Sequence, residues 1–502
     1  MARVAGATLV GVEGAAVEVE VRLSSQLPRV DIVGLAETAV RESVARVRAA
    51  VSASGERFPP ERVTINLAPA GVRKSGAGLD ATIAVAVLIA GGAVEAQALR
   101  ARGVLGELAL DGRLRPVRGA LAMTLALAEA GCREIIVPEA NGPEASLAPG
   151  VDVRVARDLA SLLGHLRGAD ALPRAERGAR RAPPPAPCLG EVRGQAFAKR
   201  ALEIAAAGGH GLLLCGPPGS GKTMLARRLP GLLPPLAPDE ALEATRIHGA
   251  AGLLDETTPL LESRPFRAPH HTASSAGLLG GGPSPRPGEV SLAHRGVLFL
   301  DELPEFDRRS LEALRQVLEE RRVTLARARS SCVFPADFVL VAARNPCPCG
   351  WYRCPGRDCR CDPVAIDRYA RRVSGPLLDR IDLHVEVPPV PWVELDASHG
   401  RSGETSEAVR QRVLAARRRQ IERGTQANAA LPDGALEDIA AATGNARAWL
   451  GQAVDRLGLS ARAARRVLRV ARTIADIAGE PRVDARDVAE ALAYRGESNG
   501  RP

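Results

Sequence analysis

The sequence predicts an α/β protein in three parts. These are a mixed α/β domain at 1–168, a parallel-sheet phosphate-loop domain at 189–392 and a helical region at 393–495, with a Pro/Arg-rich linker at 169–188 before the second. Three observations predict it. "GLLLCGPPGSGKTMLARRLPGLL" reads as strand, glycine-rich turn and helix. "GVLFLDEL" and "FVLVAARN" are short apolar runs that end in polar residues, as buried strands of a parallel sheet do. From about residue 393 the apolar residues recur at helical spacing. The 502 residues allow about three domains at roughly 150 residues each.

Each element follows from its pattern. "MARVAGATLVGVEGAAVEVEV" reads as a strand pair around a Gly turn. Glu13, Glu18 and Glu20 interrupt what would be the apolar core of a signal peptide. "AVEVEVRLS" alternates with period two, and "ETAVRESVARVRAAVSAS" places Val40, Val44 and Val47 on one helical face. "RVTINLAP", "REIIVP" and "VDVRVA" are strands, and "DATIAVAVLIAGG" is a buried helix that ends in Gly. "LPRAERGARRAPPPAPCLG" has no periodicity and is expected to be extended and mobile. The helical region contains "SEAVRQRVLAARRRQIERG", "SARAARRVLRVARTIADIAG" and "VDARDVAEALAY", the last capped by Asp484.

Composition narrows the setting. Hydrophobic residues make up 46% and aromatics 3%, so aliphatic side chains must fill the cores. No window reaches the 18 apolar residues of a membrane span, so a cytoplasmic location with no membrane partner is expected. The nine cysteines should then be reduced, which turns any cluster toward metal. The formal charge of +9 favours a polyanion such as DNA, although an Arg- and Ala-rich composition also follows from genomic base bias.

The phosphate-loop pattern is complete across Gly216, Pro217, Pro218, Gly219, Ser220, Gly221, Lys222 and Thr223. Its backbone N–H groups cradle ATP phosphates, Lys222 reaches the β and γ groups, and Thr223 ligates Mg2+. Asp301, at the end of its strand, is the expected second Mg2+ partner, and Glu302 the residue beside the attacking water. Asn345 ends "FVLVAARN", where a polar side chain can hold the γ-phosphate or the water; a simple turn before Pro346 is the alternative.

"CPCGWYRCPGRDCRC" holds five cysteines in 15 residues. Cys347, Cys349, Cys359 and Cys361 are the preferred ligands of a structural zinc, with Cys354 to spare. Free thiols in a tight loop and disulfides are the alternatives. His270 and His271, in "APHHT", allow substrate contact, a structural turn or a metal.

"RPFRAPHHTAS", "GGGPSPRPGEVSLAHRGVLFLDELPEF", "NPCPCG" and "SGPLLDRIDLHVEVP" resemble the YifB/ComM family of magnesium-chelatase-like AAA+ ATPases, and "INLAPAGVRKSGAGLD" and "LSARAARRVLRVARTIAD" extend the resemblance over nearly the whole chain. The resemblance implies an AAA+ module with a helical C-terminal lid, assembled as a homo-oligomeric ring, a hexamer. It implies that Arg380, in "LLDRID", is an arginine finger toward a neighbour's γ-phosphate, and that Arg462, in "LSARA", is a lid sensor of nucleotide state. A surface ion pair with Asp379 or Asp382 is the plain alternative for Arg380, and Arg465, Arg466 and Arg469 lie near Arg462 and weaken its assignment. Arg344 departs from the pattern, since relatives tend to carry Met before the Asn.

The N-terminal domain resembles the Lon-protease fold. Laid on that family's nucleophile and base segments, Gly78 takes the Ser position and Met123 the Lys position, so no peptidase activity is expected. Ser75 and Lys74 lie close by in sequence but on opposite faces of an extended segment. For the motor, the resemblance implies DNA branch migration or helicase action in transformation or recombination. The segment 406–425, six Arg against Glu407 and Glu422, adds a basic helix to that reading, with a solvated face as the alternative. A protein-remodelling or regulatory ATPase and a chelatase-type motor are the other readings.

Overall fold

The computed structural model describes residues 1–74, 76–178, 186–254, 259–282, 285–327, 330–355, 357–395 and 403–495. In the N-terminal part the strands are β1 (Ala2–Val10), β2 (Glu13–Ser24), β3 (Arg29–Val33), β4 (Arg62–Ala68), β5 (Arg102–Val104), β6 (Glu134–Pro138) and β7 (Asp152–Ala156). They form one mixed sheet in the order β3-β4-β2-β1-β5-β6-β7. Its longer helices are α1 (Thr38–Ala53), α2 (Asp80–Ala90), α3 (Ala120–Glu129) and α4 (Leu159–Leu166). The period-two pattern of "VEVEV" buries Val17, Val19 and Val21 while Glu18 and Glu20 face outward. Helix α2 is buried from Asp80 to Ile89, which explains why its sequence shows no polar face.

The end of this part is tied down. Ala175 N–H donates to Val153 O, and Val155 N–H to Pro173 O, so the start of the proline-rich stretch lies along β7. Its expected mobility therefore does not begin at residue 172. Residues 179–185, the core of that stretch, lie outside the described residues.

The central part carries α5 (Ala196–Gly208), β8 (Leu212–Cys215), α6 (Lys222–Ala226), α7 (Pro238–Ala251), β9 (Phe266–Arg267), β10 (Val297–Leu300), α8 (Arg308–Glu320), β11 (Arg322–Arg327), β12 (Ser330–Pro335), β13 (Val339–Arg344) and β14 (Leu383–Glu386). Its sheet is wholly parallel, in the order β9-β10-β13-β8-β14. Central strands buried on both faces account for the unbroken apolar runs "LLL" and "VLFL". Strands β11 and β12 form a separate antiparallel hairpin.

The C-terminal helices are α9 (Ser406–Glu422), α10 (Asp433–Ala440), α11 (Gly444–Leu457), α12 (Ala461–Ala478) and α13 (Ala485–Ala493). They share one core with α5 and with β8 and β14. A buried polar joint fixes α12 at the start of those strands. His210 Nδ1 lies 2.9 Å from Asp382, its Nε2 lies 2.8 Å from Thr473 Oγ1, and Arg466 donates to Asp382 at 2.7 Å. The helical region is thus packed along α5 and under the N-terminal edge of the sheet.

The N-terminal part is docked on the central part. The β1–β2 turn inserts Val12, fully buried, into the core that holds Cys332 and Phe334 of β12. Gly119 N–H donates to Gly249 O of α7, and Arg246 pairs with Glu13.

Candidate nucleotide site and the cysteine loop

The phosphate loop leaves the sheet at the C-terminal end of β8. Gly219 and Gly221 have φ of 77° and 94°, a region that L side chains avoid. Gly216 is needed for a different reason: a Cβ there would come 2.2 Å from Val387 O. Lys222 is buried and donates to Gly216 O at 2.7 Å, to Pro217 O at 2.9 Å and to Asn345 Oδ1 at 3.2 Å. Burial pulls its pKa down, opposed by Asp301. Thr223 Oγ1 donates to Asp301 Oδ2 at 2.9 Å, so the two oxygens expected to share Mg2+ face each other. Asp301 Oδ1 also accepts the N–H of Glu302 at 3.0 Å. The structure brings Gly216–Thr223, Asp301, Glu302 and Asn345 together at one edge of the sheet.

Sequence reasoning missed Tyr369 here and singled out His271 and Arg344 without placing them. Tyr369 is buried and bonds the backbone of Asn345; burial and then Glu305 push its phenol up to about 12. His271 Nδ1 stands 3.2 Å from Glu302 Oε2. Arg344 is paired with Cys215 across β13 and β8 and bonds its thiol, directly beneath the loop.

Arg380 and Arg462 are not in this cluster. Strands β8 and β14 run parallel with Leu212 opposite Leu383 and Cys215 opposite Glu386. Arg380 precedes β14, so it starts at the edge opposite the phosphate loop, about 10 Å of strand away at roughly 3.3 Å per residue. There Arg380 and Arg462 both donate to Glu319 of α8. Glu319 is held below the usual carboxylate range by Arg462 first and then Arg380, against burial. No local pattern marked Glu319, because its partners lie 61 and 143 residues away. A cavity of about 780 Å3 opens at this edge, bordered by Arg380, Asp382, Arg417 and Arg466.

The cysteine loop follows Asn345. The sulfurs of Cys347, Cys349, Cys359 and Cys361 all lie within 4.8 Å of one another, with separations of 3.3, 3.7 and 3.6 Å among the first three. A tetrahedral zinc with Zn–S bonds of about 2.3 Å needs sulfurs about 3.8 Å apart, so the donor set fits zinc. Tyr352 N–H points at Cys347 Sγ from 3.3 Å, a backbone donor suited to a thiolate. Cys354 turns away toward the carbonyls of Gly350 and Tyr352. Gly350, at φ 86°, packs against the phosphate loop; a Cβ on it would lie 2.5 Å from Pro218 Cδ.

One expectation changes. The basic helix at 406–425 is no open cationic face. Arg410 pairs with Glu407, Arg412 with Glu203 and Glu404, and Arg423 with Asp476, while Arg417 and Arg419 donate to the carbonyls of Ala206 and Asp476. Five of its six arginines thus bind within the chain, and charge counting along one helix could not see those partners. In the N-terminal part, Lys74 is buried and donates to Pro69 O. Met123 is buried in α3, Gly78 faces Val117, and Ser75 lies outside the described residues.

A parallel sheet in this order, a phosphate loop after β8 and an acidic pair after β10 define a P-loop ATPase of the AAA+ class. Matches to family models make the class narrower. "Magnesium chelatase, subunit ChlI" matches residues 188–395, "Subunit ChlI of Mg-chelatase" 19–141, and "Magnesium chelatase, subunit ChlI C-terminal" 403–495. The chain is 44% identical to YifB of Salmonella typhimurium over 97% of its length and 95% of that protein. It is likewise 44% identical to the competence protein ComM of Haemophilus influenzae, over 97% and 95%. It is also 30% identical to Lon protease 2 of Bacillus subtilis, over 32% of this chain and 32% of that one. The chain belongs to the YifB/ComM family of magnesium-chelatase-like AAA+ proteins. Among the described residues no helix is long and apolar enough to cross a membrane.

Proposed function

We propose that this protein is a cytoplasmic, ring-forming ATPase, hexameric in its working form, that couples hydrolysis of Mg-ATP to movement on DNA, in branch migration or helicase action. The observation that carries the ring is the separation of Arg380 and Arg462 from the phosphate loop of their own chain. Two guanidinium groups held together on an exposed carboxylate at the opposite edge suit a neighbouring subunit's phosphates. A site built across a subunit boundary is complete only in an assembly.

In this reading Gly216 to Thr223 hold ATP, and Thr223 and Asp301 hold Mg2+, which screens the phosphate charge when bound. Lys222 neutralises the β and γ phosphates, and Asn345, already bonded to Lys222, orients the γ group. Glu302 takes the proton of the attacking water. Arg380 stabilises the charge that develops on the transferred phosphoryl group, and Arg462 reports the nucleotide from the same edge. Cys347, Cys349, Cys359 and Cys361 hold a structural zinc. DNA as substrate rests on the net charge of +9 and on kinship with a competence protein. The domains are 1–168, a linker at 169–188, 189–392 and 393–495.

The test is the ATPase rate with and without single-stranded, duplex and four-way-junction DNA at two salt concentrations, with Glu302→Gln as the blank. Salt-sensitive stimulation is expected, since phosphate contacts weaken steeply with salt. A ring whose ATPase ignores every DNA would overturn the substrate and leave a protein-remodelling motor.

A further inference from the structure

We propose that the groove between the start of α8 and the short helix Pro363–Ala370 is a DNA-contacting surface, whose ligands are the phosphodiesters of the strand. The proposal rests on the DNA reading above and gives it a place on the molecule.

The groove has a volume of about 630 Å3. One wall is the segment that follows the acidic pair, from Pro304 to Phe306, with Arg308 beyond it. The other is the helix Pro363–Ala370, through Val364 and Arg368, continued by Arg371 and Arg372. Pro304 and Phe306 are buried, whereas Val364 and all four arginines are exposed. The four guanidinium groups meet only two carboxylates along the groove, Glu305 and Asp367. Asp367 is taken by Arg371 at 2.7 Å, and Glu305 by Arg372 at 2.6 Å. Arg368 has no carboxylate partner among the described residues. The field of Arg308 reaches Glu312, but that carboxylate is bonded to Arg315. Asp307, beside Arg308, accepts the N–H of Ser310 as the cap of α8. The groove therefore keeps an excess of positive charge that the chain does not neutralise, unlike α9, whose arginines are spent on internal partners.

Two further features point to a strand of phosphates. Arg308 and Arg309 stand in the first turn of α8, which holds no acidic residue. The positive end of the helix lies there, so both cations are opposed by it and a phosphate would relieve them. Arg368 and Arg371 are three residues apart at the end of a helix, which sets them side by side. The charges thus form a row along one wall with Arg308 on the facing one, a better match to successive phosphodiesters than to a single small anion. The two pairs already present, Arg371 with Asp367 and Arg372 with Glu305, are exposed and give way easily to another anion.

The groove also adjoins the ATP site. Its first wall starts two residues after Glu302, and Tyr369, next to Arg368, is buried and bonds the backbone of Asn345. DNA held here touches both segments that leave the catalytic edge, which gives it a route to the hydrolysis rate.

Fluorescence anisotropy of labelled single-stranded DNA tests this, with full-length protein, a non-hydrolysable ATP analogue and salt from about 50 to about 200 mM. The Arg308→Ala/Arg368→Ala double variant should bind about tenfold more weakly at low salt. Its plot of log affinity against log salt should be flatter by about 1.4, two lost contacts at about 0.7 each. Its DNA-free ATPase should stay within about twofold of wild type, and its stimulation by DNA should fall. The Arg308→Lys/Arg368→Lys variant keeps both charges and should keep the wild-type slope. Wild-type affinity and slope in the alanine variant overturn the groove and leave the DNA reading standing, and a lysine variant as flat as the alanine one overturns it too. A wild type that binds no DNA overturns both. Polyglutamate bound by wild type and lost in the alanine variant, with DNA binding unchanged, would assign the groove to an acidic protein instead.

Discussion

Glu144 is a carboxyl group where two domains meet. It is partly buried, accepts the N–H of Leu121 at 3.0 Å, and lies so close to Gly249 of α7 that a Cβ there would come 2.6 Å from its Oε1. Burial raises its pKa from 4.5 to about 7, opposed by the N–H groups of Leu121 and Ala120. The folded state therefore holds a proton that the unfolded chain releases above about pH 4.5. Its contribution to stability is fully present below that pH and is lost as pH rises through about 7, worth about 3 kcal/mol at roughly 1.4 kcal/mol per unit. Glu144→Gln keeps the acceptor and never ionises. Its thermal midpoint should match wild type at pH 5 and exceed it at pH 8; equal midpoints at both would show that Glu144 does not ionise in this range. None of this was legible in "NGPEAS", since burial came from a helix a hundred residues away. The phosphate loop, by contrast, was legible in full, because its chemistry is a local sequence of φ angles and donors.

At the scale of elements, the cysteine loop is the one whose neighbour matters most. Gly350 rests on Pro218, and a side chain at 350 has no room. A metal that fixes the loop thereby fixes one wall of the phosphate cradle. Removal of zinc with a chelator, or the pair Cys359→Ser and Cys361→Ser, should weaken ATP binding by about tenfold, equivalent to roughly 1.4 kcal/mol. Fluorescent-nucleotide titration measures it; unchanged affinity with less than stoichiometric zinc in the native protein would disconnect the loop from the site. The C-x-C pairs singled out the four cysteines that the fold brings together, but the contact with Pro218 joins segments 132 residues apart and left no trace in either. Helix α9 teaches the reverse. Its arginines read as a patch because a sequence shows charges, whereas Glu203, Glu404 and Asp476, which neutralise them, come from other elements.

In the proposed ring, the whole molecule divides its chemistry between two edges of one short sheet. Lys222 stands at one edge and Arg380 at the other, so a subunit lacking either should complement a subunit lacking the other. Lys222→Ala and Arg380→Ala proteins should each be inactive alone, and an equal mixture should recover part of the wild-type ATPase rate. No recovery on mixing, with assembly confirmed by light scattering, would place both residues in one subunit's site. The fold class and the order of the parts were legible from strand and helix periods. How the parts sit together was not, since Val12 looks like any apolar residue next to a turn. That valine has a consequence for how the chain can be divided. With its side chain built into the core around Phe334, the ATPase half has no finished surface of its own at that point. A fragment begun after the proline-rich stretch would bare an apolar socket to water and invite self-association. Any lineage that duplicated or shed one half would have had to rebuild that seam, so the two halves are expected to be inherited, expressed and engineered as one piece.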